Sequence, residues 1–131
     1  MSISLNTAQF RHLSMNTRFP FKYGIASMTS LPHVFLCVEV DFSGKIVKGI
    51  SSEGLPPKWF TKNPDTTFEE DLPEMITVLS TALDFSKKIR ADTIFEFWVE
   101  LYEVQDRWAK EENIPPLLAH LGSSLVERAL I

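Results

Sequence analysis

The sequence predicts an α+β fold: a three-stranded antiparallel β-meander followed by a bundle of three or more α-helices. Two observations carry the prediction. Residues 33–42, HVFLCVEVDF, alternate with a period of two, which is the signature of a strand with one buried face. Beyond Asp65 the apolar period changes to that of a helix.

In the first segment Val34, Leu36, Val38, Val40 and Phe42 share one strand face, and His33, Phe35, Cys37, Glu39 and Asp41 share the other. Ser43-Gly44 is a tight turn, since glycine takes positive φ without steric cost. Residues 45–51 run back as the second arm of a hairpin, with Ile46 and Ile50 on a common face and an inner face that needs a partner layer. Upstream, residues 2–19 carry Ile3, Leu5, Phe10, Leu13 and Met15. Arg11 and His12 interrupt their alternation, so a strand with a bulge within residues 8–17 is expected. Pro20 cannot donate to a ladder and marks an edge or a strand end. Residues 22–32, KYGIASMTSLP, read as a linking loop because of Gly24, Pro32 and their hydroxyl-rich neighbours. That loop carries Tyr23, Ile25, Met28 and Leu31, so it either packs down or covers something. A second irregular stretch, residues 54–64, contains Pro56, Pro57 and Pro64, which bar helix and central strand alike, and the adjacent aromatics Trp59 and Phe60.

Three helices follow. Thr66-Thr67-Phe68-Glu69 fits a capping box, but Pro73 predicts a short turn first and a regular helix from about Leu72. Leu72, Met75, Ile76, Leu79, Ala82 and Leu83 form its stripe. Asp92 or Thr93 opens the next helix, with Thr93 and Glu96 as its capping box and Ile94, Phe95, Trp98, Leu101, Tyr102 and Trp108 along it. Pro115-Pro116 opens the third, where a missing amide is harmless. Leu117, Leu118, Leu121, Leu125, Val126, Ala129 and Leu130 cover more than one narrow stripe of it. A single layer would leave part of that set bare, which predicts self-association through residues 115–131 or the sheet-end loops. Gly122 in this helix suggests close approach to a neighbour.

The chain has 131 residues, 44% of them hydrophobic and 23% charged, which suits one domain. Thirteen basic residues against seventeen acidic ones give a net charge of -4, which leaves no footprint for nucleic acid or an anionic membrane. Lys87, Lys88 and Arg90 cluster where a helix C-terminus attracts cations. The single cysteine, Cys37, excludes an internal disulfide framework, and a strand cysteine of this kind behaves as a small hydrophobe. No run approaches the ~20 apolar residues of a membrane span, and residues 1–15 lack the apolar core of a signal peptide. A cytoplasmic protein is expected. No phosphate loop, metal-spaced His/Cys cluster or nucleophile elbow is present. Residues 69–71, EED, sit at a helix start where the dipole explains them. His120 reads as a structural histidine. From the residues alone no catalytic group and no metal ligand emerges.

Three stretches taken together resemble a known family: RFPFKYG (18–24) leading into HVFLCVEV, SGKIVKGISSEGLPPKWF (43–60), and PPLLAHLGSSLVERALI (115–131). They are similar, in order and spacing, to the N-terminal capping domain of the enolase superfamily, in the mandelate racemase and muconate lactonizing enzyme branch. Where relatives often carry a glycine–tryptophan–glycine–glutamate run, this chain has residues 48–53, KGISSE, in which Gly49 and Glu53 correspond. The resemblance spans the whole chain, 1–131, as one domain: a meander with two loops over 1–60 and a helical part over 66–131. It implies a partner barrel of the (β/α)₈ kind, absent here, which carries the chemistry of a lyase, isomerase or racemase. There magnesium stabilises an enediolate and lysine or histidine bases take the proton α to a carboxylate. The chain alone would then be no enzyme and hold no cofactor. Its two loops would close the barrel mouth and select substrate, with Tyr23, Ile25 and Met28 on the first and Glu53, Trp59 and Phe60 on the second. The alternative is a free-standing α+β module that binds an apolar ligand or a protein.

Overall fold

The computed structural model describes residues 2–24 and 26–131. The fold is α+β. Three long strands come first: β1 (Ile3–Tyr23), β2 (Ala26–Phe42) and β3 (Lys45–Gly54). A short helix α1 (Pro57–Phe60) and a long one, α2 (Phe68–Ser86), follow. The two-residue strand β4 (Arg90–Ala91) precedes α3 (Ile94–Glu111) and α4 (Pro116–Leu130). The sheet is antiparallel in the order β3-β2-β1-β4.

The hairpin register explains which faces are buried. Ser43 and Gly44 both have positive φ, 52° and 91°, the geometry of the two-residue turn that matches strand twist. Asp41 Oδ1 accepts from the Gly44 amide at 2.6 Å. The turn pairs Phe42 with Lys45, Val40 with Val47, Val38 with Gly49 and Leu36 with Ser51. Directly opposed residues share a face. Val34, Leu36, Val38 and Val40 are accordingly buried beneath the helices, while their β3 partners are Glu53, Ser51 and Gly49, small or polar, and the partly exposed Val47. Ile46 and Ile50 do share a face, but it is the outward one, and both are exposed.

The segment read as a linking loop is instead part of a long ribbon. β1 runs to Tyr23 and β2 begins at Ala26, paired around Gly24, whose φ is +54°. Serine, threonine and glycine argue for loop in isolation, but here Lys22, Tyr23, Ala26, Ser27, Met28 and Ser30 through Pro32 find cross-strand partners. The β1–β2 register shifts twice, between Leu5 and Thr7 and between Asn16 and Phe21. The second shift takes in Pro20, whose missing amide fits an interrupted ladder. Both shifts fall outside most of the expected 8–17 window. A fourth strand, β4, was not foreseen. It lies within the helical half and pairs with Ile3 and Ser4.

The helices also differ from expectation in their limits and faces. α1 forms despite its prolines because Pro57 occupies the first helical turn, where no amide is needed. α2 starts at Phe68, with Thr67 as N-cap and Glu70, not Glu69, closing the box. Pro73 lies inside this helix on its exposed side, where water can satisfy the carbonyl it leaves unpaired. Thr93 caps α3 with Glu96 as expected. Asn113, at φ 57°, ends α3: the Ile114 amide reaches the Ala109 carbonyl at 2.8 Å, a Schellman closure. The buried face of α3 is Phe97, Leu101, Gln105 and Ala109, while Phe95 and Tyr102 are exposed. Gln105 Nε2 donates to the carbonyls of Val78 and Ala119, tying α3 to α2 and α4.

α4 is the centre of the helical layer. It packs on β2 and β3 below and on α2 and α3 at its sides. Leu118, Leu121, Leu125, Val126, Ala129 and Leu130 are all buried, so most of the surplus apolar face expected on this helix is covered within the chain; of that set Leu117, in the first turn, stays 60% exposed. Two glycines allow this. A Cβ on Gly49 would lie 1.9 Å from the Ala129 carbonyl oxygen, and one on Gly122 would lie 2.7 Å from the Val78 oxygen. Ser51 Oγ donates to the Leu125 carbonyl at 2.6 Å, pinning the helix to the strand. Gly49→Ala is expected to lower the urea midpoint by an amount equivalent to about 1–3 kcal/mol, the usual overpacking range, because the obstacle is backbone and cannot rotate away. An unchanged midpoint would mean that α4 does not approach β3 this closely.

Candidate functional site

The surface that gathers the candidate residues is the sheet end where the β1–β2 ribbon meets the segment after β3. The two are joined by backbone: the Leu55 amide donates to the Pro32 carbonyl at 2.9 Å. Leu55 is buried, and Pro56-Pro57 turns the chain over the sheet end into α1. That turn sets Trp59 against Tyr23, with ring centroids 6.1 Å apart and planes inclined by 56°. Phe21 extends the row, 5.7 Å from Tyr23. Such tilted contacts are favoured by the quadrupoles of the rings. A cleft of about 370 Å³ lies beside them, lined by Tyr23, Ser27, Met28, Lys58, Phe68 and Glu69 among others.

Of the six sequence candidates, Tyr23, Met28 and Trp59 come together here. Phe60 turns inward and packs against the core. Glu53 lies on the helix-facing side of β3 and pairs with Arg128 of α4 at 2.9 Å, away from the cleft. Ile25 lies outside the described residues. Two cleft residues, Lys58 and Glu69, escaped the sequence reading. Lys58 stands between Pro57 and Trp59 in the sequence, but its direction depends on a helical turn that the composition of residues 54–64 argues against.

Lys58 organises the cleft floor. Its ammonium donates to the Asn63 carbonyl at 2.6 Å and to the Thr66 hydroxyl at 2.9 Å, and it also meets the Thr66 carbonyl. Asp71 Oδ2 is 2.7 Å away, close enough for a strong ionic attraction, though not aligned as a hydrogen bond. The two side chains are 17% and 6% exposed. Burial pushes the Tyr23 phenol above its ordinary pKa, and the Lys58 charge partly opposes this. The phenol is therefore neutral at physiological pH and serves as a hydrogen-bonding group. The cleft offers aromatic walls, a hydroxyl and an engaged ammonium. The Glu69 carboxylate also lines it, the ammonium is paired with Asp71, and among the described residues no group of three or more His, Cys, Asp or Glu could hold a metal.

A second group has the composition of a hydrolase triad without its chemistry. His120 Nε2 lies 3.4 Å from Asp106 and its Nδ1 lies 3.0 Å from Ser123 Oγ. Ser123 is only 1% exposed and donates back to the His120 carbonyl, so no substrate reaches it. The imidazole stacks on Tyr102 at 3.8 Å. It is a structural histidine joining α4 to α3. Lys110, 2.8 Å from Asp106, holds that carboxyl below the usual range, with His120 adding to the effect. The Lys110 ammonium is raised in turn by Asp106.

Two outcomes test this electrostatic picture. Replacing Lys58 with Met strands a buried carboxylate and is expected to cost about 3 kcal/mol in urea unfolding. The double variant Lys58→Met with Asp71→Leu should recover part of that loss, and a double variant no better than the single one would count against the pairing. For Asp106 the folded pKa is depressed. Its stabilising effect is therefore present above the ordinary carboxylate range and lost as pH falls through the folded value. For Lys110 the folded pKa is raised, so its effect is present below the ordinary lysine range and lost as pH rises through the folded value. NMR titration of Asp106→Asn should show the Lys110 pKa falling; an unmoved value would separate the two groups.

No described helix is long and apolar enough to cross a membrane. In comparison with known proteins, no family model, no curated protein and no solved structure matches the chain.

Proposed function

We propose that the chain is a capping domain of the enolase-superfamily kind, which closes the mouth of a catalytic (β/α)₈ barrel and selects its substrate. One observation carries the reading: Tyr23 and Trp59, far apart in sequence, meet ring to ring at a single end of the sheet. That end presents an aromatic row beside a cleft in which the Lys58 ammonium is already engaged by Asp71 and by main-chain oxygens. Such a surface is suited to covering a reaction. By closing it would exclude water and strengthen the electrostatics of groups supplied from the other side. The barrel would contribute the magnesium ion and the bases that take a proton α to a carboxylate. Tyr23, Met28 and Trp59 would meet the substrate, while Glu53 and Phe60 would hold the lid in place, Glu53 through Arg128 and Phe60 through the core.

Self-association belongs to the same end. The ribbon holds Phe19 and Phe21 at 77% and 56% exposure, so it replaces α4 as the surface offered to a second copy.

Three measurements test the reading. An antibody to the chain should detect, in source cells, a polypeptide more than twice the chain's 15.0 kDa, since a barrel adds roughly 200 residues or more. A native band at the size of the chain would overturn the proposal. Next, the chain with magnesium should exchange no α-deuterium into mandelate above a buffer blank, measured by NMR; exchange abolished by chelator would place chemistry in the chain itself. Finally, light scattering at rising concentration should show a dimer or larger species that Phe19→Ser with Phe21→Ser dissociates. A strict monomer would remove self-association while leaving the lid untouched.

A further inference from the structure

Beside β1 lies a groove that closing a barrel does not use. Its floor is Val34 and Leu55, both buried. One wall is β1, where Phe10, His12 and Ser14 share the helix-facing side of the sheet. The other wall is α2, at Leu72, Ile76 and Leu79. The cavity measures about 440 Å³. Ile76 is 48% exposed although it looks toward the sheet, because α2 packs chiefly on α4 and stands off from β1.

The strand at the rim of this groove has a free edge. β4 is β1's neighbour on that side, but it meets only Ile3 and Ser4. From Leu5 onward β1 has no strand beside it on that side among the described residues. Its outward peptide groups therefore have no ladder partner, and such an edge is a template for another chain. A free edge, a helix across from it and an apolar groove between the two are the parts that strand addition requires. A segment running antiparallel to β1 would continue the line that β4 begins. Its backbone would pair with β1, and every second side chain would drop into the groove about 7 Å from the last. The wall from Phe10 to Ser14 is about 13 Å long at strand rise, enough for two inward side chains. Arg11 and His12 lie at the rim, and no acidic residue lines the groove, so an anionic group on the incoming segment is favoured there.

The geometry points to a peptide-binding site: the groove between β1 and α2 takes an extended segment antiparallel to β1, with apolar side chains at i and i+2 and an acidic group beside Arg11 and His12. A small amphiphile would fit the volume but would leave the strand edge unpaired. The site lies outside the Tyr23–Trp59 cleft and does not depend on the lid reading.

A random heptapeptide library displayed on phage, panned on the intact chain, tests this. Enriched sequences are expected to place apolar residues at alternate positions next to an acidic one. Synthetic versions, titrated by fluorescence anisotropy, should lose at least tenfold in affinity to Ile76→Asp, a change at a half-exposed position whose fold is checked by circular dichroism. N-methylation of the peptide should abolish binding at one alternate set of amides and be tolerated at the other. Overturning results would be the absence of enriched sequences, apolar spacing of i and i+3 or i+4, indifference to Ile76→Asp, or a methylation scan without alternation. Saturable binding of decanoate without any selected peptide would likewise overturn it and make the groove a small-molecule site.

Discussion

The approach of α4 to the sheet is the constraint on which the rest of the structure depends. Gly49 and Gly122 remove the two side chains that would hold this helix off β3 and α2. With α4 so close, the Leu125 carbonyl accepts from Ser51, and the helix fills the space over β2 and β3. α2 and α3 must then pack against its sides, where Gln105 threads between them to reach two main-chain carbonyls. A larger residue at either glycine would push the helix outward and open all of these contacts at once. The polar faces of the hairpin follow from the same arrangement: β3 offers Gly49 and Ser51 inward because bulk there would collide with the helix.

Centring the helical layer on β2 and β3 leaves the other half of the sheet underfilled. β1 is covered near its start, where β4 and α3 reach it, and stands open beyond Phe10. The ribbon that continues past the helices has only its own ladder and the α1 segment to hold it. Lys58 compensates by drawing the 55–67 segment onto α2 through Asp71 and through the Thr66 and Asn63 oxygens. Order at the candidate site thus rests on this buried charge pair together with the burial of Leu55 and the packing of Phe60, while Phe21 and Trp59 stay exposed.

Much of this architecture is legible in the sequence where a local rule decides it. Alternation in residues 33–42 gives the buried face of β2, the Ser43-Gly44 turn gives the hairpin, and Thr93 with Glu96 gives the start of α3. Legibility fails where partners decide. Residues 26–28 and 30–32 have loop composition, yet they pair because β1 is long enough to meet them. The aromatics Phe95, Trp98 and Tyr102 of α3 suggest a buried stripe, but its core face is Phe97, Leu101, Gln105 and Ala109, and Phe95 and Trp98 stack along the outside. The seven apolar residues of α4 imply a bare side only if one layer covers it; neighbours on three sides bury six of them and leave Leu117 outside. Half of the candidate site was readable because Tyr23, Met28 and Trp59 are aromatic or apolar residues in irregular-looking stretches. Phe60 shares that description and Glu53 entered through the resemblance alone; only the α1 turn and the strand pleat show that they point elsewhere.

The order of elements along the chain has a consequence for how the protein is made. The three long strands, two of which α4 seals, are complete by Gly54, while the seal is formed by residues 116–130. The Ser51–Leu125 bond spans 74 positions. During synthesis at roughly 5–20 residues per second, the meander waits on the order of 4–15 seconds for its cover. Throughout that interval Val34, Leu36, Val38 and Val40 form an apolar face open to water. The nascent chain therefore passes through a stage in which its hydrophobic sheet is exposed, and a ribosome-bound chaperone would find its natural target there.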